Sequence, residues 1–536
     1  MEFDYVIAGG GSAGATLAAR LSEDGRTRVC LIEAGGTGEG ILIRAPALVA
    51  TMVSGRPPLH NWALHTVPQP GLGGRRGFQP RGKALGGSSA INAMLYVRGH
   101  PGDYDDWARA GATGWGWADV LPYFRRAERN ARGADALHGD GGPLQVADQS
   151  APAPITHAFL DACDSLQIPR NADFNGPVQA GAGFYQVTQF HDGPHRGERC
   201  SAAHAYLRPA RGRANLHVIT RAHVTRVLFE TGRATGVEYR GRGGVQQVRA
   251  RGEIILSAGA FGSPQILMLS GIGPGAHLQA MGIPVVADRA GVGGNLQDHL
   301  DYIIAYTSPR PDVVGLNPAG VLRLIRAGLA WRKNGRGLFA SPMAEAGAFL
   351  TMGGGDRPDV QLHFVIGIVD DHMRRIHLTD GWSCHVCLLR PASRGTVRLA
   401  GPDPRRAPAI DPAYLSDPAD LPALMAGARA MERILDAPAL APWRGRRLYP
   451  HDGSDAALER DIRARADTIY HPVGTCRMGS DADSVTDPAL RVRGVAGLRV
   501  VDASVMPTLI GGNTNAPTIM IAERAADLIR AAAPSS

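Results

Sequence analysis

The glycines at positions 9, 11 and 14 and the acid at position 33 have the types and spacing to do chemistry. Gly9-x-Gly11-x-x-Gly14 strips side chains from a turn. The backbone of Gly9, Gly11, Ser12, Ala13 and Gly14 could then approach a pyrophosphate, with the positive end of a following helix aimed at it. Glu33 lies nineteen residues past Gly14, where a carboxylate accepts bonds from ribose hydroxyls and disfavours a 2′-phosphate. The combination predicts a dinucleotide site and leaves NAD and FAD both open. A second run, Gly86-Gly87-Ser88-Ser89, offers more bare backbone and two hydroxyls. Cys384-x-x-Cys387 has no second pair and reads as alternating strand residues, not a zinc site. His191, His195, His204 and His299 have no acid at i, i+4, so no metal is expected.

Elements must hold these residues in place. Phe3–Ala8 is an apolar run suited to a buried parallel strand, and Arg28–Glu33 is a second. Between them Ala15, Leu17, Ala18 and Leu21 recur at helical spacing, completing a strand–turn–helix–strand unit. Val224–Glu230 and Gly236–Arg240 suit a meander. Glu253–Ser257 reads as another buried strand, with a helix from about Pro264. From about 300 to 465, alternating runs such as Val360–Ile366 and His385–Leu389 suit a sheet with one covered face. Leu498–Val501 returns to the buried-strand style, and Pro517 suits the first turn of a terminal helix. The predicted fold is α/β: a Rossmann-like domain assembled from discontinuous segments, plus an α+β substrate domain with an antiparallel sheet covered by helices. Expected bounds are 1–155, 196–305 and 466–536 for the first domain, and 156–195 and 306–465 for the second.

Composition narrows the class. The 536 residues are 44% hydrophobic and 20% charged, which excludes a wholly disordered chain. Six cysteines are too few for a disulfide scaffold. The net charge of +8 comes from scattered arginines, Lys83 and Lys333 being the only lysines, and no nucleic-acid partner is expected. The start shows no signal-peptide pattern and no apolar stretch spans a bilayer. A cytoplasmic protein is expected, with peripheral membrane contact left open.

Longer motifs carry a family resemblance. Gly82–Asn92 (GKALGGSSAIN) resembles the first signature of the glucose–methanol–choline (GMC) oxidoreductases. Gly259–Pro264 running to Gly273 resembles the second, Tyr470–Gly479 the catalytic histidine segment, and Val501–Thr518 the closing segment. The order is the family's, and the nearest branch is that of the choline-dehydrogenase-like and alcohol dehydrogenases.

The resemblance implies FAD, with Asn92 along the flavin, Val224 at the adenine, and Asp502 and Ala503 near the phosphate and ribityl. Some relatives attach FAD through a histidine where this chain has Ile91, so a non-covalent flavin is expected. It also implies His471 as general base and Asn515 as the second catalytic residue, binding the developing alkoxide. A histidine of ordinary pKa, roughly 6.5, would make the rate rise with pH. Trp62, Glu345 and Tyr470 resemble the residues that cage choline's ammonium. The implied reaction is oxidation of a small primary alcohol to its aldehyde, with hydride transfer to flavin N5 and electrons passed to a quinone-type acceptor. A choline dehydrogenase, an oxidase using oxygen and a non-redox member are the alternatives. Oligomeric state is not legible.

Overall fold

The computed structural model describes residues 2–532. The chain opens with strand β1 (Glu2–Ala8), helix α1 (Ser12–Leu21) and strand β2 (Val29–Glu33). β1 and β2 pair in parallel, Val6 opposite Cys30 and Ile7 opposite Leu31. The small side chains Ala13, Ala15, Ala18 and Ala19 are buried on α1 and let it lie close to the sheet. On the other side of β1 runs strand Gly244–Leu256, parallel, with Ile7 opposite Ile255. Leu216–Thr220 pairs with β2, and Leu498–Val500 pairs with the end of Gly244–Leu256. Strands His223–Glu230 and Arg233–Gly241 add an antiparallel extension, giving seven strands in all. One sheet thus draws on three distant parts of the chain.

The terminal helix Asn515–Ala532 lies against α1. Buried Glu523 ties the two together: Arg20 Nε donates to it at 2.9 Å, Arg126 Nε at 2.8 Å and the Tyr206 hydroxyl at 2.6 Å.

The second sheet is antiparallel throughout. Its six strands run in the order Asp467–Thr468, Leu300–Thr307, Gly381–Leu388, Val360–Val365, Ala344–Leu350 and Gly181–Phe184. Strand periodicity divides its residues between two environments. Tyr302, Ile304, Leu362, Phe364, Trp382 and Cys384 join a core shared with helices Pro154–Ser165 and Asp420–Asp436. Asp301, Gln361, His363 and His385 belong to the opposite alternation, and the two histidines line a cavity. Cys384 and Cys387 fall on opposite faces, as alternation requires, and all six cysteines are buried and free.

Leu300–Thr307 and Asp467–Thr468 both join the second sheet. One detail differs from the sequence-based expectation. Helix Gly259–Leu269 begins five residues before Pro264. Proline lacks the N–H that would bond the Ala260 carbonyl. That carbonyl instead accepts the Thr475 hydroxyl at 2.6 Å, so the interior proline fastens the helix to the His471 segment.

Candidate active site

The nucleotide end is built from two glycine runs in contact. A Cβ on Gly14 would stand 1.9 Å from the Gly9 carbonyl oxygen. Gly87 has φ +53°, and a Cβ there would lie 2.6 Å from Gly11 Cα. Gly86 N donates to the Gly10 carbonyl at 2.7 Å, locking the runs together. α1 starts beside them with no side-chain cap and no acid in its first turn, leaving its amides for an anion. Above lies a cavity of about 730 Å³. Gly9, Gly11, Ser12, Ala13, Glu33, Gly87, Ser88, Asn92, Val224, Asp502 and Ala503 all line it. Gly14 and Gly86 lie behind the wall and shape the turns.

Two buried carboxylates frame this end. Glu33 accepts from Gly10 N at 2.9 Å and from Gly35 N at 2.6 Å. Burial raises its pKa to about 7 against the pull of those amides. Asp502 accepts from Ser263 Oγ at 2.5 Å and Gly259 N at 2.8 Å, and caps the following turn at Ser504 N at 2.8 Å. It is both a structural cap and part of the cavity wall.

His471 stands at the other end of the same cavity. Asp298 accepts its backbone N–H at 2.9 Å and binds Tyr414 and Thr468 through its second oxygen, both at 2.6 Å. A chain of hydrogen bonds fixes the ring's tautomer from two sides. On one side His299 Nε2 donates to the Leu389 carbonyl at 3.1 Å. A neutral imidazole carries one proton, so His299 Nδ1 must accept, and His471 Nδ1–H donates to it at 3.0 Å. On the other side the Tyr185 hydroxyl donates to the Leu362 carbonyl at 2.7 Å and accepts from Gln361 Nε2 at 3.0 Å. Gln361 Nε2 also donates to Asn513 Oδ1 at 3.1 Å. Asn513 Nδ2 therefore faces His471 Nε2, at 3.2 Å, and must donate to it. Both routes leave the lone pair on Nε2. Burial, then the neighbouring His299 and His363, holds the His471 pKa well below the usual histidine range. Burial lowers His299 and His363 to about 3, so all three rings are neutral. Both nitrogens of His363 are buried without a partner and sit in the cavity wall, open to a polar group from a bound molecule.

Residues 3–301 match the N-terminal model and 391–522 the C-terminal model of GMC oxidoreductase. The chain belongs to the GMC oxidoreductase family. It is 45% identical to the alcohol dehydrogenase [acceptor] of Pseudomonas putida, over 98% of this chain and 95% of that one. It is also 45% identical to human mitochondrial choline dehydrogenase, over 99% of this chain and 90% of that protein. Among solved structures, pyridoxine 4-oxidase from Mesorbium loti superposes with a TM-score of 0.87 at 34% identity, covering 98% of each chain. The chain is thus an oxidoreductase and flavoprotein of the alcohol- and choline-dehydrogenase-like kind, on an α/β fold. Its residues fit FAD: the uncapped α1 amides and bare glycines suit the pyrophosphate, and the cavity runs on to His471.

The GMC site departs from the sequence-based expectation in four places. Asn515 lines the cavity but does not meet His471; its Oδ1 accepts from Ser12 Oγ at 2.8 Å. The amide that does meet His471 is Asn513. Glu345 is absent from the cavity wall. Its carboxylate accepts from Ala153 N at 2.8 Å, Thr156 Oγ1 at 2.6 Å and Ser341 Oγ at 2.8 Å, so it anchors a loop and a helix to the sheet. Trp62 lines the cavity at the nucleotide end, under Lys83 Nζ (4.2 Å to the ring centre) and beside His223. Tyr470 alone of the three cage residues adjoins His471, its hydroxyl 2.7 Å from His372 Nδ1. The fourth departure is the depressed pKa of His471, where an ordinary one was expected. Sequence reasoning also missed His299, Gln361 and Tyr185. The run Asn295-Leu296-Gln297-Asp298-His299 could have pointed to His299, whereas Gln361 and Tyr185 sit in or beside apolar strands with no motif of their own.

Among the described residues no cluster of His, Cys, Asp or Glu could hold a metal ion. No described helix is long and apolar enough to cross a membrane.

Proposed function

We propose that this GMC oxidoreductase binds FAD non-covalently and oxidises a primary alcohol to its aldehyde, with a quinone-type acceptor taking the electrons. One observation carries the reading: His471 presents an unprotonated Nε2 to the cavity, with the Asn513 amide beside it. Bound FAD would supply the two-electron acceptor for the substrate carbon. His471 Nε2 takes the hydroxyl proton once the substrate oxygen displaces the Asn513 N–H that rests on its lone pair. Asn513 Nδ2 has a second hydrogen, which steadies the oxygen as negative charge develops on it. His299 and Asp298 hold the imidazole in the productive tautomer and place. Ile91, where a covalent link would form, has no atom able to bond the flavin. Similarity to the alcohol dehydrogenase [acceptor] of Pseudomonas putida supports both an alcohol substrate and a separate acceptor.

Anaerobic addition of primary alcohols to the purified holoenzyme tests this. The visible flavin absorption should bleach with wild type and not with His471→Ala, both retaining FAD. Bleaching of His471→Ala at the wild-type rate would remove the proposed base. Parallel turnover with a quinone analogue and with oxygen identifies the acceptor; faster turnover with oxygen would make the protein an oxidase.

A further inference from the structure

Helix Pro318–Asn334 has its apolar stripe on the wrong side for a soluble protein. Of its 17 residues only Gly320 and Trp331 are buried. Val321, Leu322, Ile325 and Leu329 recur at helical spacing, and they are 42%, 47%, 56% and 67% exposed. Two further apolar residues stand nearby, Ile376 at 66% and Leu378 at 75% exposed. Their loop is tied to the helix through Asp380, which accepts from Asn317 Nδ2 at 2.7 Å and pairs with Arg323. Ile376 and Leu324 also line the large cavity, so the patch surrounds its mouth.

Charge indicates what covers this face. Residues 313–344 contain Arg323, Arg326, Arg332, Lys333 and Arg336 and no acid. Of these only Arg323 has an ion-pair partner among the described residues. A contiguous apolar ridge flanked by unpaired cations matches a bilayer with anionic headgroups: apolar side chains enter the acyl boundary and the guanidinium groups meet phosphates. We infer that helix Pro318–Asn334, with Ile376 and Leu378, docks the protein on an anionic lipid surface and sets the cavity mouth against it. The inference is independent of the reaction proposed above.

Co-sedimentation of the holoenzyme with vesicles tests it. Phosphatidylcholine vesicles containing about 30 mol % phosphatidylglycerol should bind the protein on the order of tenfold more tightly than phosphatidylcholine alone. About 0.5 M salt should largely abolish the difference. The triple change Leu322→Ser, Ile325→Ser, Leu329→Ser should lower binding at least tenfold. So should Arg326→Gln, Arg332→Gln, Lys333→Gln. Melting temperature, flavin content and turnover of a water-soluble alcohol should stay unchanged, because all six side chains point outward. Three results would overturn the inference. One is no binding to the anionic vesicles. Another is binding that the serine variant leaves intact. The third is a dimer in sedimentation velocity that the serine variant dissolves, which would make a second copy the occupant.

Discussion

The proton on His471 is placed by two backbone carbonyls, Leu389 and Leu362, one at each end of its hydrogen-bond chain. A buried ring so oriented is ready to accept a proton at any ordinary pH. The rate with saturating acceptor should therefore be flat from about pH 6 to 9, since a histidine held well below the usual range has no proton left to lose there. A rise centred near pH 6.5 would show that burial does not control this group. His299→Asn should lower turnover by roughly 10–100-fold with FAD content unchanged, by freeing the tautomer. Asn513→Ala should cost on the order of 10²–10³ in turnover, and Asn515→Ala much less; steady-state kinetics of the two variants separates them. Spacing could not tell these asparagines apart. Asn515 is the first residue of its helix and turns toward Ser12, while Asn513, still ahead of the helix, reaches the imidazole.

Sheet alternation was legible at the level of elements, because successive strand residues turn to opposite faces, although both faces of the second sheet proved covered. That pattern located His363 and His385 on a strand face but gave no hint of what the face looks onto. Glu345 shows the limit: an acid within an apolar strand reads as a ligand site until its partners are known. Glu345→Gln should destabilise the fold by about 1–3 kcal/mol, because one oxygen that accepts hydrogen bonds is replaced by an amide donor. Choline kinetics, if any are measurable, should not change. Thr475→Val should cost a similar ~1–3 kcal/mol by orphaning the Ala260 carbonyl beside Pro264. Denaturant melts of the two variants check both figures; losses within error would mean that water or relaxation replaces these bonds.

Across the whole molecule, the family order of motifs made the discontinuous nucleotide domain readable, whereas the edges of the second sheet were not. Asp467–Thr468 is too short to carry a pattern. A buried network outside the cavity wall sets another whole-molecule property. His138 lies between Asp173, at 2.8 Å, and Glu128, at 3.1 Å. Burial opposes its charge, but these bonds win and raise its pKa to about 9. The folded value exceeds the ordinary one of roughly 6.5. The stability it contributes is complete below about pH 6.5 and is lost as pH climbs through about 9. His138→Gln should flatten the fall in melting temperature over that window; an unaltered slope would assign the alkaline loss to other groups.

Residues far apart along the polypeptide meet at α1. Ser12 and Arg20 find Asn515 and Glu523 only after 503 further positions have been added to the chain. A nascent chain halted before Asn515 exposes the inner face of α1 and the apolar edge of the sheet beneath it. Flavin loading thus waits for helix Asn515–Ala532, and a chain that loses that helix by proteolysis or a premature stop sheds its colour.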